Sequence, residues 1–227
     1  MQIEIWSDYG CFARPEMRVE RVSYSVIPPT AAAGILRAIY WHPGVLYQIR
    51  RIYVLSPIEK ATMKVNERGA NGTDVVQKTV RCLKNPHYII DFTISFCRHY
   101  IAHEFDGSGY DANGLTVSDR ISKVMHIMER RIRKGQCAYQ PCMGMSSYPL
   151  FFRYYDGPAP ACLPEFCGTH DFDYFPRSIF SIPAGSTPCA CGPEGICSVK
   201  QSDISFVPAI MEDGVITIPD RKDGDIK

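Results

Sequence analysis

"SDRISKVMHIMERRIRKGQC", residues 118–137, decides how this 227-residue chain is read. Taken as a helix over 118–134, it places Ile121, Val124, Met125, Met128 and Ile132 on one stripe at 3.6 residues per turn. Lys123, His126, Arg130 and Lys134 then lie on the opposite face. Ser118 is the expected cap, Asp119 suits the first turn and Gly135 supplies the stop. The apolar stripe is core, and its two methionines are packing. The other face carries cations: six of the twenty residues are Lys or Arg and two are acidic. Most basic helix faces are solvated surface. One without balancing acids also suits a phosphate backbone.

Working outward from this helix, residues 2–8 alternate as a strand, and "TAAAGILRAIYW" (30–41) reads as a helix begun by Pro28–Pro29 and stopped by Pro43 and Gly44. Residues 45–55 are β-branched and aromatic, hence a strand. Residues 58–85, with Lys60, Lys64, Arg68, Lys78, Arg81 and Lys84, read as a loop or projecting hairpin. A long strand is expected over 87–103, a Gly-rich linker over 104–117 and strand-like residues over 137–153. The order β-α-β-β-α-β is that of ferredoxin-like and RNA-recognition folds. The expected class is α+β: a ferredoxin-like domain over 1–153 and a small antiparallel, Cys/Pro-rich β region over 154–227, with a turn at Asp213–Gly214.

Composition is that of a globular protein, with 45% hydrophobic and 22% charged residues. The start "MQIEIWSDYG" has no signal-peptide pattern, and no apolar run approaches membrane-helix length. A cytoplasmic protein without membrane contact is expected. Residues 1–153 carry a net charge of +7 and residues 154–227 a net −6. Either the first part meets a polyanion or both parts are simply solvated. Five of ten cysteines, Cys162, Cys167, Cys189, Cys191 and Cys197, cluster as C-x4-C and C-x-C-x5-C. Zinc favours such clustering, but the spacing lacks paired C-x2-C units, so reduced thiols are the reading and no metal or cofactor is expected.

The run "RPEMRVERVSYSVIPPTAAAGILRAIYWHP" (14–43) resembles the type I-C CRISPR-associated endoribonucleases, the d subtype of the Cas-five family. "NER" (66–68), the Lys123 helix ending "RRIRKGQC", "YQPCMG" (139–144) and "MEDGVITIP" (211–219) extend the resemblance over almost the whole chain. It implies a ferredoxin-like domain with a C-terminal antiparallel β region. It also implies cleavage of CRISPR repeat RNA by a metal-independent Tyr-Lys-His site, and retention of the product crRNA by its 5′ handle. The partners implied are that RNA and the backbone and large subunits of the type I-C surveillance complex. The family's Tyr falls on Tyr40 and its Lys on Lys123. Its His directly follows the Lys, where this chain has Val124. His126, one helical turn beyond Lys123 and on the same face, is the expected replacement. His42 is another candidate, and catalysis by Tyr40 and Lys123 alone, or its loss, stays open.

Metal-free RNA cleavage proceeds by attack of the 2′-hydroxyl on the adjacent phosphate, leaving a 2′,3′-cyclic phosphate and a 5′-hydroxyl. It needs a base, an acid and a cation for the crowded phosphorane. Lys123 suits the cation and His126 the proton shuttle, while Tyr40 orients the hydroxyl unless a nearby cation lowers its pKa. Arg14, Arg18, Arg21, Arg130, Arg131, Arg133 and Lys134 are the expected RNA contacts, with the basic residues of 60–84. A subunit that holds the handle without cutting is the alternative.

Overall fold

A computed structural model describes residues 1–17, 20–68, 74–96, 98–105, 109–178 and 204–219. Its elements are β1 (Gln2–Trp6), β2 (Tyr9–Gly10), β3 (Arg21–Val22), α1 (Pro29–Ile39), β4 (Val45–Val54), β5 (Glu59–Arg68), β6 (Val75–Lys84), β7 (His87–Phe96), α2 (Arg98–Glu104), α3 (Val117–Arg133), β8 (Phe151–Tyr155), β9 (Thr169–Ser178), β10 (Ile204–Glu212) and β11 (Val215–Thr217). Mixed α and β structure is therefore observed, as expected.

One seven-stranded sheet has the order β8-β1-β7-β4-β11-β10-β9, with every neighbouring pair antiparallel. Ile3, Ile5, Ile52, Tyr88, Ile90 and Phe92 meet Ala32, Leu36 and Ile39 of α1 and Val124, Met128 and Ile132 of α3 in one core. Each fully buried Ile, Leu, Val, Met or Phe side chain among these contributes about 2 kcal/mol. The strands after residue 153 extend this sheet, because β11 pairs with β4 (Ile216 opposite Ile52). Asp213 and Gly214 both have positive φ, which fits a tight hairpin turn between β10 and β11. Within 58–85, β5 pairs antiparallel with β6, in line with the expected hairpin, in a second sheet that also holds β2 and β3.

Three expectations need correction. The strand expected over 87–103 ends at Phe96, whose partner is Val45, the first residue of β4. Among the described residues no partner strand continues beyond Phe96, and residues 98–104 turn into α2. There Tyr100 stacks on Phe96 at 4.8 Å. Tyr100 also fills the space where a Cβ on Gly44 would sit, and Gly44 has φ +73°. Of the 137–153 segment, only Phe151 onward enters a strand, since β8 pairs with all five residues of β1 and leaves none for the rest. Residues 138–150 instead bond to α1 and to the chain after β2, through Ala138 N–H to the Ala38 carbonyl and Cys11 N–H to the Met143 carbonyl. The cap of α3 is Thr116 rather than Ser118. Thr116 Oγ1 accepts from the Asp119 N–H at 3.2 Å while the Asp119 carboxylate accepts from the Thr116 N–H at 3.0 Å. A reciprocal box needs the acid three residues after the cap, and Ser118 stands one residue before it.

Candidate active site

Two places bear on the chemistry, and both involve α3. The first is the C-terminal end of α1, which a helix leaves with unsatisfied carbonyls. Here three successive carbonyls each find a donor from elsewhere in the chain. Ala38 accepts from the N–H groups of Ala138 and Tyr139, at 2.8 and 3.2 Å. Ile39 accepts from Arg131 Nη1 at 2.9 Å. Tyr40 accepts from the Tyr47 hydroxyl at 2.5 Å. Tyr40 itself has left the helix, with φ −142° and ψ 117°. Its ring is 9% exposed and lies under the Arg131 guanidinium, 5.0 Å from ring centroid to cation. Burial pushes the Tyr40 phenol above its ordinary pKa, while the Arg131 charge acts against that rise. The phenol therefore stays protonated at neutral pH, where it can donate a hydrogen bond but is unsuited to abstract a proton.

His42 adjoins this end. Its Nδ1 lies 2.7 Å from the Pro43 carbonyl. A carbonyl only accepts, so Nδ1 carries the proton and Nε2 holds the lone pair of the neutral ring. The ring stands 6.3 Å from Tyr40 and 5.8 Å from Tyr100.

The second place is the outer face of α3. Asp119, Ser122, Lys123, His126, Ile127 and Arg130 line an open groove of about 630 Å³. Lys123, His126, Arg130 and Lys134 are exposed, and among the described residues none of them has an ion-pair partner. The helical spacing explains the grouping: His126 is three residues after Lys123 and Arg130 seven. Val124, where the resemblance leads one to expect the family's histidine, is 4% exposed and belongs to the core.

The expected RNA contacts divide three ways. Arg130 and Lys134 stand at the groove side of α3 and point outward. Arg131 and Arg133 are engaged by the protein. Arg133 donates to Glu129 at 2.9 Å, approaches Asp156 at 3.5 Å and lies 3.9 Å over the Tyr154 ring. Arg14 and Arg21 sit near the other end of α1, about 16 Å away along an 11-residue helix. There Arg14 covers the Tyr24 ring and pairs with Glu16. Arg21 lines a separate groove of about 430 Å³ with Tyr24, Thr30 and Met145. Arg18, Cys189, Cys191 and Cys197 lie outside the described residues. Cys162 and Cys167 are close together, each with its sulfur near the Leu163 carbonyl.

Sequence reasoning missed Tyr47, Tyr100 and the inward turn of Arg131. Tyr47 and Tyr100 sat in stretches read as strand and gave no separate signal. For Arg131 a signal existed: it follows Val124 by seven residues and so shares the core-facing side.

Residues 1–165 match the family model Cas_Cas5d, described as CRISPR-associated protein (Cas_Cas5). A protein of Mannheimia succiniciproducens named CRISPR pre-crRNA endoribonuclease Cas5d is 35% identical over 174 residues, covering 73% of this chain and 76% of its own. A protein of the same name from Thermus thermophilus is 33% identical over 168 residues, covering 70% and 66%. Among solved structures, one titled as that of a CRISPR-associated protein aligns with a TM-score of 0.62 at 20% identity, over 99% of this chain and 94% of its own. A functionally uncharacterized protein from Streptococcus mutans aligns with a TM-score of 0.60 at 19% identity, over 96% and 91%. These two likenesses concern the fold alone.

Proposed function

The chain belongs to the Cas5d family of CRISPR-associated proteins, and on that premise we propose that it is an endoribonuclease that cuts CRISPR repeat RNA without a metal ion. The relatives' name, pre-crRNA endoribonuclease, supports repeat-RNA processing. The observation that carries the reading is the groove on α3, where Lys123, His126 and Arg130 stand together with no ion-pair partner among the described residues, while Tyr40 is held against the same helix by Arg131. Lys123 stabilises the phosphorane, His126 moves the proton, Arg130 holds the backbone and Tyr40 orients the attacking 2′-hydroxyl. The products are a 2′,3′-cyclic phosphate and a 5′-hydroxyl, and the protein keeps the 5′ handle within the type I-C complex. The neighbouring order β8-β1-β7-β4, crossed by α1 and α3, supports reading residues 1–153 as a ferredoxin-like domain.

The test is cleavage of the cognate repeat hairpin in EDTA by wild type, Lys123→Ala and His126→Ala. Loss of a positioned acid–base group lowers the rate about 10²- to 10⁴-fold. The expected outcome is that both variants bind the hairpin but fail to cut it, and that a 2′-deoxy nucleotide at the cut blocks wild type. Normal cutting by His126→Ala moves the imidazole role to His42. The second reading is a handle-binding subunit that does not cut, favoured by the buried Val124 where the family has its histidine. A wild type that binds but never cleaves decides for it.

A further inference from the structure

The last carbonyl of α1 and the ring of the next residue share one ligand. Arg131 Nη1 donates to the Ile39 carbonyl at 2.9 Å, and its guanidinium covers the Tyr40 ring at 5.0 Å. We propose that Arg131 is a positioning residue that fixes the direction of the Tyr40 phenol, rather than an RNA contact. The proposal rests on the reading of Tyr40 as part of the catalytic site.

Tyr40 is the first residue past the helix, in extended conformation, and α1 holds it only through its N–H to the Leu36 carbonyl at 3.0 Å. Its backbone is held by Tyr47, and the preceding turn by Ala138 and Tyr139, but those bonds end on carbonyls. Among these ligands, Arg131 also covers the ring. A planar guanidinium donates in its plane while presenting its face to an aromatic ring, and a lysine ammonium cannot do both from one point. The neighbouring arginines show the contrast along α3. Arg130 lines the open groove, and Arg133 is tied to Glu129 and Asp156. Arg131, one residue from Arg130, faces inward because it shares the stripe of Val124. An RNA phosphate would have to compete with a carbonyl and a ring already in contact.

The experiment uses the full chain with Arg131→Gln, Arg131→Lys, Tyr40→Phe and the double variant Arg131→Gln/Tyr40→Phe. Four results are expected. Single-turnover cleavage by Arg131→Gln falls about 100-fold, the scale of a displaced catalytic group. Arg131→Lys recovers only part of that rate. The double variant is no slower than Tyr40→Phe, because the arginine acts through the tyrosine. Binding of a repeat blocked by a 2′-deoxy nucleotide keeps the salt slope of wild type in Arg131→Gln. A slope reduced by about one, together with a double variant slower than Tyr40→Phe, overturns the proposal and makes Arg131 an RNA contact. Ring-carbon NMR of labelled tyrosine, with Tyr40→Phe identifying the resonance, reads the clamp without cleavage. The Tyr40 resonance is expected to move, and its titration to shift to higher pH, in Arg131→Gln. If Tyr40→Phe cuts like wild type, the catalytic reading of Tyr40 fails while the clamp is still judged by this titration. An unmoved resonance in both Arg131 variants overturns the clamp itself.

Discussion

The end of α1 and the outer face of α3 are built on opposite principles. At the end of α1 the carbonyls of residues 38, 39 and 40 are each taken up by donors from α3, β4 or the 138–139 segment, and the Tyr40 ring is covered by a cation. On the outer face of α3, Lys123, His126, Arg130 and Lys134 have no ion-pair partner among the described residues. Unsatisfied buried groups are costly, so an interior end must be completed by the protein itself. Exposed cations cost little to leave unpaired and can wait for a polyanion. One place fixes geometry and the other supplies charge, and the proposed cleavage site draws on both.

The largest effect expected from testing this contrast comes from moving an imidazole between the two sides of α3. Val124→His introduces an imidazole at a position that is 4% exposed. It is expected to lower stability by about 2 kcal/mol, measured by urea denaturation, and to leave cleavage no better than wild type. A stable variant with faster cleavage would show that position 124 reaches the groove after all.

A smaller effect separates free from engaged arginines. Arg130→Ala and Lys134→Ala are each expected to reduce the salt slope of repeat-RNA binding by about 0.7 to 0.9. Arg133→Ala, whose side chain already meets Glu129, Asp156 and Tyr154, is expected to leave that slope alone. Fluorescence anisotropy at several salt concentrations reads all three, and equal slopes for Arg130→Ala and wild type would count against the groove as the RNA face.

The smallest effect concerns the cap that aligns the groove. Thr116→Ala removes the capping box and is expected to cost about 1 kcal/mol at pH 7. Hydrogen bonds from the Thr116 side chain and backbone hold the Asp119 carboxyl below its ordinary pKa. A depressed carboxyl adds stability above its unfolded pKa, near 3.9, and that contribution is lost as pH falls through the lower folded value. The gap between wild type and Thr116→Ala should therefore narrow in acid, leaving the part owed to the Asp119 N–H bond to Thr116 Oγ1, which does not titrate. A gap unchanged between pH 7 and pH 2 would mean that the carboxylate half of the box adds nothing.

Much of this was legible beforehand because helical periodicity is a local property. The spacing of Ile121, Val124, Met128 and Ile132 set which side of α3 enters the core, and with it placed Lys123, His126 and Arg130 together outside. Pro28–Pro29 marked the start of α1, and Asp213–Gly214 marked the β10–β11 turn. Residues 98–104 and 137–150 misled because an apolar or aromatic run has strand character only where a partner strand stands beside it. β4 offers none past Phe96, and β1 is spent on residues 151–155.

By itself, then, the sequence determined the helix faces, the alternation of elements and the family to which the motifs belong, since each depends on residues a few positions apart. Tertiary structure alone decided that Arg131 reaches 92 residues back to the Ile39 carbonyl, that Tyr47 completes the end of α1, and that the strands after residue 153 join the main sheet at β4. Those contacts join segments distant along the chain, and their geometry is set by how the layers pack, which no local pattern encodes.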